Sequence, residues 1–197
     1  MPVGGDMTIM MRLIRENKEK ILKMQEKAPK AFVINEGTVL KTVSFEMNIF
    51  RSERQNFYMN LKDGVLSISC PMDTDFDNPT VQEALFGLLE KALRHEAKRL
   101  LPSRLSAHAK AHGFNYTELK INNSKGRWGS CSTKKSINIS LSVMLLPWHL
   151  IDYVLLHELC HTVEMNHGER FWALMNKVTD GKALALRTEI REYRTLR

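Results

Sequence analysis

The chain predicts an α+β fold with a small sheet and several helices, and three features of its 197 residues carry that expectation. Apolar and polar residues alternate in two stretches, 38–70 and 116–141, which is the period of strands. Helical spacing governs 80–112 and returns from Pro147 onward. There is no internal repeat, and no linker is long enough to separate two independent domains. The expected organisation is an N-terminal helical extension, residues 1–30, followed by one domain, 31–197.

Each element has its own signal. Met10, Leu13, Ile14, Ile21 and Met24 recur at near-helical spacing among Lys and Glu, which predicts an amphipathic helix over 8–27, ended by Pro29. From Thr38 the period is two: Val39, Val43, Phe45, Met47 and Ile49 share a register with Lys41, predicting one strand with a wet face. Phe57, Met59 and Leu61, then 65–70, flank Lys62-Asp63-Gly64, and the Asp-Gly pair predicts a hairpin. After an acidic connection, Thr80 is the expected cap of a helix whose stripe runs Val81, Ala84, Leu85, Leu88, Leu89, Ala92 and Leu93. Pro102 is expected to break it and Gly113 to cap its end. Two strands, 116–121 and 136–141, are then predicted around a polar loop containing Gly126 and Gly129. Pro147 opens a second long helix; shorter helices are expected over 168–178 and 184–193.

Composition narrows the class. With 43% hydrophobic and 26% charged residues, the chain has material for a core, so general disorder is excluded; 10 Gly and 6 Pro exclude a collagen-like chain. Cys70, Cys131 and Cys160 are an odd number without paired spacing, which argues against a disulfide framework and for a reducing, cytoplasmic setting. Ile9, Met10 and Met11 are broken by Arg12, Arg15 and Glu16, so no secretory signal is expected. The most apolar stretch, 143–160, is interrupted by Pro147, His149, Asp152, His157 and Glu158, so no membrane span is expected either. The net charge of +7, from 29 Lys and Arg against 22 Asp and Glu, allows a nucleic-acid partner, but the excess is scattered and no motif focuses it.

The chemistry centres on His157-Glu158-Leu159-Cys160-His161, an H-E-x-x-H sequence. With 7 His in the chain, such a match arises by chance roughly 0.02 times, so its context has to decide. Residues four apart on a helix share a face, so His157 and His161 can converge on one ion while Glu158 reaches a water at that ion without binding it. Leu150, Ile151, Val154, Leu155 and Leu159 give the segment the apolar density of a buried helix, unlike a solvated helix with incidental histidines. His167 is the expected third ligand. Met165-Asn166-His167-Gly168 should end the active-site helix, with Asn and Gly accepting the left-handed conformation, and Asn166 with Glu169 resembles a capping box for the next helix. His95, His108, His112 and His149, on charged or distal segments, are expected to be solvated. The spacing matches the metzincin signature, but Glu164 stands where that signature has glycine, and that assignment is rejected.

Other residues carry weaker signals. Arg127 is a candidate to hold a developing oxyanion, with a structural ion pair as the even alternative. Trp128 suits packing. Cys131 has no adjacent base and is set aside as nucleophile or ligand. Cys160 is expected to face the core, Phe171 and Trp172 to pack helix on helix, and Asp152 to favour the early helical turns through the dipole.

The strip Arg127-Trp128-Gly129-Ser130-Cys131-Ser132, then Pro147 and Ile151-Asp152-Tyr153-Val154, then 157–161 and Asn166-His167-Gly168-Glu169-Arg170-Phe171-Trp172, resembles the YgjP-like metallopeptidase family, predicted metal-dependent hydrolases related to SprT-like and WLM zinc peptidases. The specific motifs cover about 120–175; the first 30 residues are taken to lie outside the shared pattern. The resemblance implies a zincin-like α+β fold, one Zn2+ held at positions matching His157, His161 and His167, and Glu158 as catalytic carboxylate. The expected activity is zinc-dependent hydrolysis of a peptide or protein substrate, and a zincin-like fold implies that an extended substrate pairs with a strand edge beside the active-site helix, for which the strand at 136–141 is the candidate. The rivals are an SprT-like nucleic-acid-associated peptidase and a non-catalytic structural zinc site. Nothing in the pattern specifies an oligomeric state.

Overall fold

The computed structural model describes residues 7–18 and 32–196, and the chain divides into two units between Val33 and Ile34. The first holds helix α1 (Met7–Glu16), stabilised by an Arg12–Glu16 ion pair one turn apart. The rest of the helix expected over 8–27, and Pro29, lie outside the described residues.

In the second unit the alternating segment from Thr38 makes two strands, where one was expected: β1 (Leu40–Lys41) and β2 (Glu46–Ser52), paired antiparallel. The reversal is local. Thr42 Oγ1 accepts hydrogen bonds from the Ser44 and Phe45 N–H groups, and a turn of this kind leaves the period-two pattern almost undisturbed. Phe45, Met47 and Ile49 are buried, whereas Val39 is 92% exposed. Next come β3 (Tyr58–Lys62) and β4 (Val65–Pro71). Their two-residue turn has Asp63 at φ 51° and Gly64 at φ 77°, the double positive φ that the Asp-Gly pair predicts. Order in this sheet is β1-β2-β4-β3, with β2 and β4 parallel.

Helix α2 (Pro79–His112) is capped by Asn78, whose side chain accepts from the Thr80 N–H at 2.9 Å, and not by Thr80 itself. Pro79 then occupies the first turn, where its missing N–H costs nothing. The helix does not break at Pro102. An internal proline costs ~3 kcal/mol, but Leu101 and Leu105 beside it are fully buried, and each burial contributes roughly 1.5–3 kcal/mol. Gly113, at φ 73°, closes the helix as expected.

The second sheet has order β5-β7-β6. Strands β5 (Glu118–Asn122) and β7 (Ser136–Ser140) are the two expected ones and run parallel. Strand β6 (Gly129–Cys131) comes from the segment expected to be loop. It is three residues long and begins with glycine, so it carries no readable alternation. Because β6 pairs antiparallel with β7 and β5 pairs with its other side, β7 is the middle strand and the sheet's edges are β5 and β6, of which β6 carries Gly129. The edge expected at 136–141 is corrected accordingly.

A 3₁₀ turn (Leu141–Leu145) leads into helix α3 (Trp148–Cys160), with Pro147 as N-cap. Nine of its thirteen residues are buried, Leu150, Ile151, Tyr153, Val154, Leu155, Leu156, Glu158, Leu159 and Cys160. Helices α4 (Glu169–Val178) and α5 (Ala183–Glu189) follow, the latter continued by a 3₁₀ turn, Ile190–Glu192. Among the described residues, no helix is long and apolar enough to cross a membrane.

Asp152 has a different task from the dipole role expected of it. Arg104 of α2 donates two hydrogen bonds to its carboxylate, and His108 Nε2 lies 2.8 Å from Oδ1. The carboxylate ties α2 to α3, and His108 is engaged there instead of solvated. Burial pushes the Asp152 pKa up, but His108 and Arg104 outweigh it, and the net value lies below the ordinary carboxylate range. A folded-state pKa below the unfolded one contributes stability above the unfolded value of about 4, which is lost as pH falls through the folded value. Asp152→Asn should therefore cost about 1–2 kcal/mol at pH 7. The loss is expected as a lowered melting temperature whose difference from the parent shrinks below pH ~4; calorimetry across pH 3–7 checks it.

Candidate metal centre and its cleft

The last turn of α3 presents His157 and His161 on one face. The helix ends there, with Cys160 as its last residue and His161 as cap, so it stops short of the ending expected at 165–168. Thr162 Oγ1 bonds to the Leu159 carbonyl at 2.7 Å, closing the terminus. Gly168, at φ −81°, has no left-handed conformation; it is the N-cap of α4 without a side-chain bond, so the expected Asn166–Glu169 capping box does not form. The chain still turns back, and His167 returns to the pair. Its Nε2 lies 3.0 Å from His157 Nε2, which is 3.2 Å from His161 Nε2.

One nitrogen from each of the three imidazoles lies within 4.8 Å of the others. A tetrahedral zinc with Zn–N bonds of about 2.0 Å imposes N···N separations of about 3.3 Å, close to the two short separations seen. The protonation pattern suits a cation. Burial lowers the His157 pKa to about 3, helped by His161, His167 and Arg187; burial also lowers that of His161. Both rings are therefore neutral at pH 7, with lone pairs to offer. His161 Nδ1 bonds to the Glu164 carbonyl at 3.0 Å, which places the proton on Nδ1 and leaves Nε2 as the donor atom. Phe171, fully buried, supports all three imidazoles with ring centroids 4.5–4.9 Å away. No fourth His, Cys, Asp or Glu joins the group among the described residues, so a metal held here would keep a position open.

Glu158 is 5% exposed, and burial raises its pKa to about 8. Oε2 is buried and meets no hydrogen-bonding group among the described residues. The carboxyl group lies directly over Gly129: a Cβ there would sit 2.7 Å from Oε1 and 2.8 Å from Cγ. Only glycine lets β6 approach Glu158 this closely. The sequence signal for this existed, a glycine inside a Trp-Gly-Ser strip, but only the fold shows what approaches it.

A cleft of about 380 Å³ opens at the site, lined by Arg127, Trp128, Gly129, Tyr153, Val154, His157, Glu158, His167, Trp172, Arg187 and Ile190. Arg127 is exposed in it and pairs with no carboxylate among the described residues. Trp172, expected only to pack helices, forms part of the wall and carries the Arg187 guanidinium 4.8 Å above its ring. Arg187 and Ile190 were not singled out, since nothing local links α5 and the turn after it to residues 157–167. Cys160 is fully buried, and burial raises its thiol pKa to about 12; Cys131 is half-buried and outside the histidine group.

No curated protein matches the chain. A solved structure, the crystal structure of the metallopeptidase zymogen of Pyrococcus abyssi abylysin, is similar at 25% identity over 45% of this chain and 89% of that one, with a TM-score of 0.41. The sequence matches the profile described as YgjP-like, metallopeptidase domain, over residues 1–192. The match begins at residue 1, so the N-terminal segment lies within the family pattern and not beyond it. With nearly the whole chain matched, the protein belongs to the YgjP-like metallopeptidase family, and it is a metallohydrolase.

Proposed function

We propose that this metallohydrolase is a zinc-dependent peptidase in which His157, His161 and His167 hold the ion and Glu158 moves the proton. The observation that carries this reading is the convergence of three imidazole nitrogens beside a buried carboxylate packed on a strand edge. The nitrogen-only donor set and the open position suit zinc in a catalytic role. When bound, zinc supplies Lewis acidity to water and to the substrate carbonyl.

The protein's own residues supply the rest. Glu158 Oε2 takes a proton from the attacking water and returns it to the leaving nitrogen, a shuttle that works best with a pKa near neutrality. Burial alone brings Glu158 to about 8, and a nearby divalent cation would draw it down. On either side of β6, the Trp128 carbonyl accepts from the Ser140 N–H and the Ser132 N–H donates to the Ser136 carbonyl of β7. Antiparallel alternation then directs the main-chain groups of Gly129 and Cys131 away from β7. That free edge can pair with an extended peptide and bring its carbonyl to Glu158. Arg127, at the start of the strip, would stabilise the developing oxyanion. Residues 31–197 carry this chemistry, with 1–30 as an N-terminal segment that takes no part in it. All three cysteines are free, which fits a reducing, cytoplasmic setting.

Glu158→Gln keeps the shape and removes the proton acceptor. It should retain zinc while hydrolysis of an unfolded protein falls by a factor of ~10² to 10⁴; unchanged activity in the variant would rule out Glu158 as the base.

His167→Ala should lose most of its zinc, measured by elemental analysis after dialysis against a weak chelator, because two imidazoles remain where three are needed. Full occupancy would remove His167 from the ligand set.

Gly129→Ala forces a methyl group into the Glu158 carboxyl. A stability cost of about 1–3 kcal/mol is expected, together with a loss of at least ~10-fold in kcat as the base is displaced. Ser130→Ala, one residue along, should change both far less. Equal behaviour of the two variants in melting and turnover would dismiss the contact.

A further inference from the structure

We propose that the cleft selects substrates bearing a carboxylate near the scissile bond, and that Arg187 is the residue that binds it; this rests on the peptidase reading above.

The argument starts from charge. The cleft is lined by two cations, Arg127 and Arg187, and by one carboxylate, Glu158, which is buried against Gly129. Its remaining walls are largely aromatic and apolar: Trp128, Tyr153, Trp172, Val154 and Ile190. Four arginines buttress the fold through carboxylates, Arg51 with Glu36, Arg94 with Glu90, Arg99 with Glu96 and Arg104 with Asp152, while Arg54, Arg170, Arg191 and Arg194 have no such partner among the described residues and line no part of this cleft. Arg127 and Arg187 have no such carboxylate among the described residues. Glu189, two residues from Arg187, is engaged by His149 at 2.7 Å.

Geometry adds direction. The Arg187 guanidinium sits 4.8 Å above the Trp172 ring, and Trp172 is 6.0 Å from His167, centroid to centroid. Stacking on an indole face holds a guanidinium in place while leaving its N–H edges free, and those edges match the two oxygens of a carboxylate. Arg187 lines the same cleft as His157 and His167, so a group it binds there lies within reach of the candidate metal centre. Among apolar walls, an anion that pairs with this cation gains more than a neutral group of the same shape. An acidic side chain and a free C-terminal carboxylate present the same chemistry, and the test separates them.

The probe is an acetylated alanine-rich hexapeptide in three forms: a free C-terminal carboxylate with no acidic side chain, a C-terminal amide with Glu scanned through each position, and the same amide with Gln. Binding to zinc-loaded Glu158→Gln protein is followed by the fluorescence of Trp128 and Trp172, and hydrolysis by the zinc-loaded parent is measured in parallel. One or both carboxylate forms should bind roughly 10- to 100-fold more tightly than the Gln amide, with the better form identifying the source. Arg187→Gln, added to either protein, should abolish the difference while zinc content and melting temperature stay unchanged; Arg187→Lys should restore part of it. Carboxylate-selective binding through Arg187 without any hydrolysis by the parent would retain this inference and remove the peptidase reading. Hydrolysis of all three forms alike, unaffected by Arg187→Gln, would do the reverse. Quenching by oligothymidylate that depends on Arg187, with no peptide preference, would overturn the carboxylate assignment in favour of a nucleic-acid ligand.

Discussion

Helix α3 is enclosed by protein on almost every side, and the properties of the site descend from that burial. An apolar helix of thirteen residues would pack there without difficulty, but this one also carries Glu158 and two histidines in its last turn. Taking those groups out of water disfavours their charged forms in opposite directions. The imidazoles of His157 and His161 become lone-pair donors, and the Glu158 carboxyl is moved toward neutrality. Neutral imidazoles that can offer lone pairs to a cation and a carboxyl of raised pKa thus share one cause, the packing of Leu150, Ile151, Leu155 and Leu159 into the core.

That packing needs α3 to be held in register, and the clamp is polar. Asp152 receives Arg104 and His108 from α2, while Arg104 lies 4.4 Å above the Trp148 ring at the start of α3. A single carboxylate in an otherwise apolar stretch could only remain there with partners, and those partners sit 44 and 48 residues earlier. The unbroken passage of α2 through Pro102 belongs to the same arrangement. Leu101 and Leu105 on either side are buried, and a break there would turn Arg104 and His108 away from Asp152.

What the sequence revealed and what it hid divide along range. His157, Glu158 and His161 were legible because a helix converts a spacing of four into a shared face, and His167 because a turn had to follow. The Asp-Gly hairpin and the Gly113 cap were legible for the same reason: each depends on the φ values of one or two residues. Details of termination were less so. Asn166 and Gly168 looked like the end of α3, but Thr162 and the Glu164 carbonyl close it several residues sooner. Strand β6 was invisible because its alternation has no length, and β7 was mistaken for an edge because strand order is not written in any one strand. Trp172 and Arg187 form a cleft wall only once α4 and α5 fold back over α3, which no local pattern encodes.

The contact between Gly129 and Glu158 joins these levels. Strand β6 has one side bonded to β7 and one side free, and the glycine lets that strand lie against the Glu158 carboxyl with no side chain between them. A substrate strand added to the free side would take its register from the main chain of β6. The position of its carbonyl relative to Glu158 would then be set by backbone spacing and not by the identity of its side chains. Backbone pairing of this kind is indifferent to sequence, so selectivity has to come from the walls on the far side of the cleft. Those walls are built from α4 and α5, where Trp172 holds Arg187 in place. On that reading, one side of the site would align any extended chain, and the other side is the part of the structure free to discriminate among them.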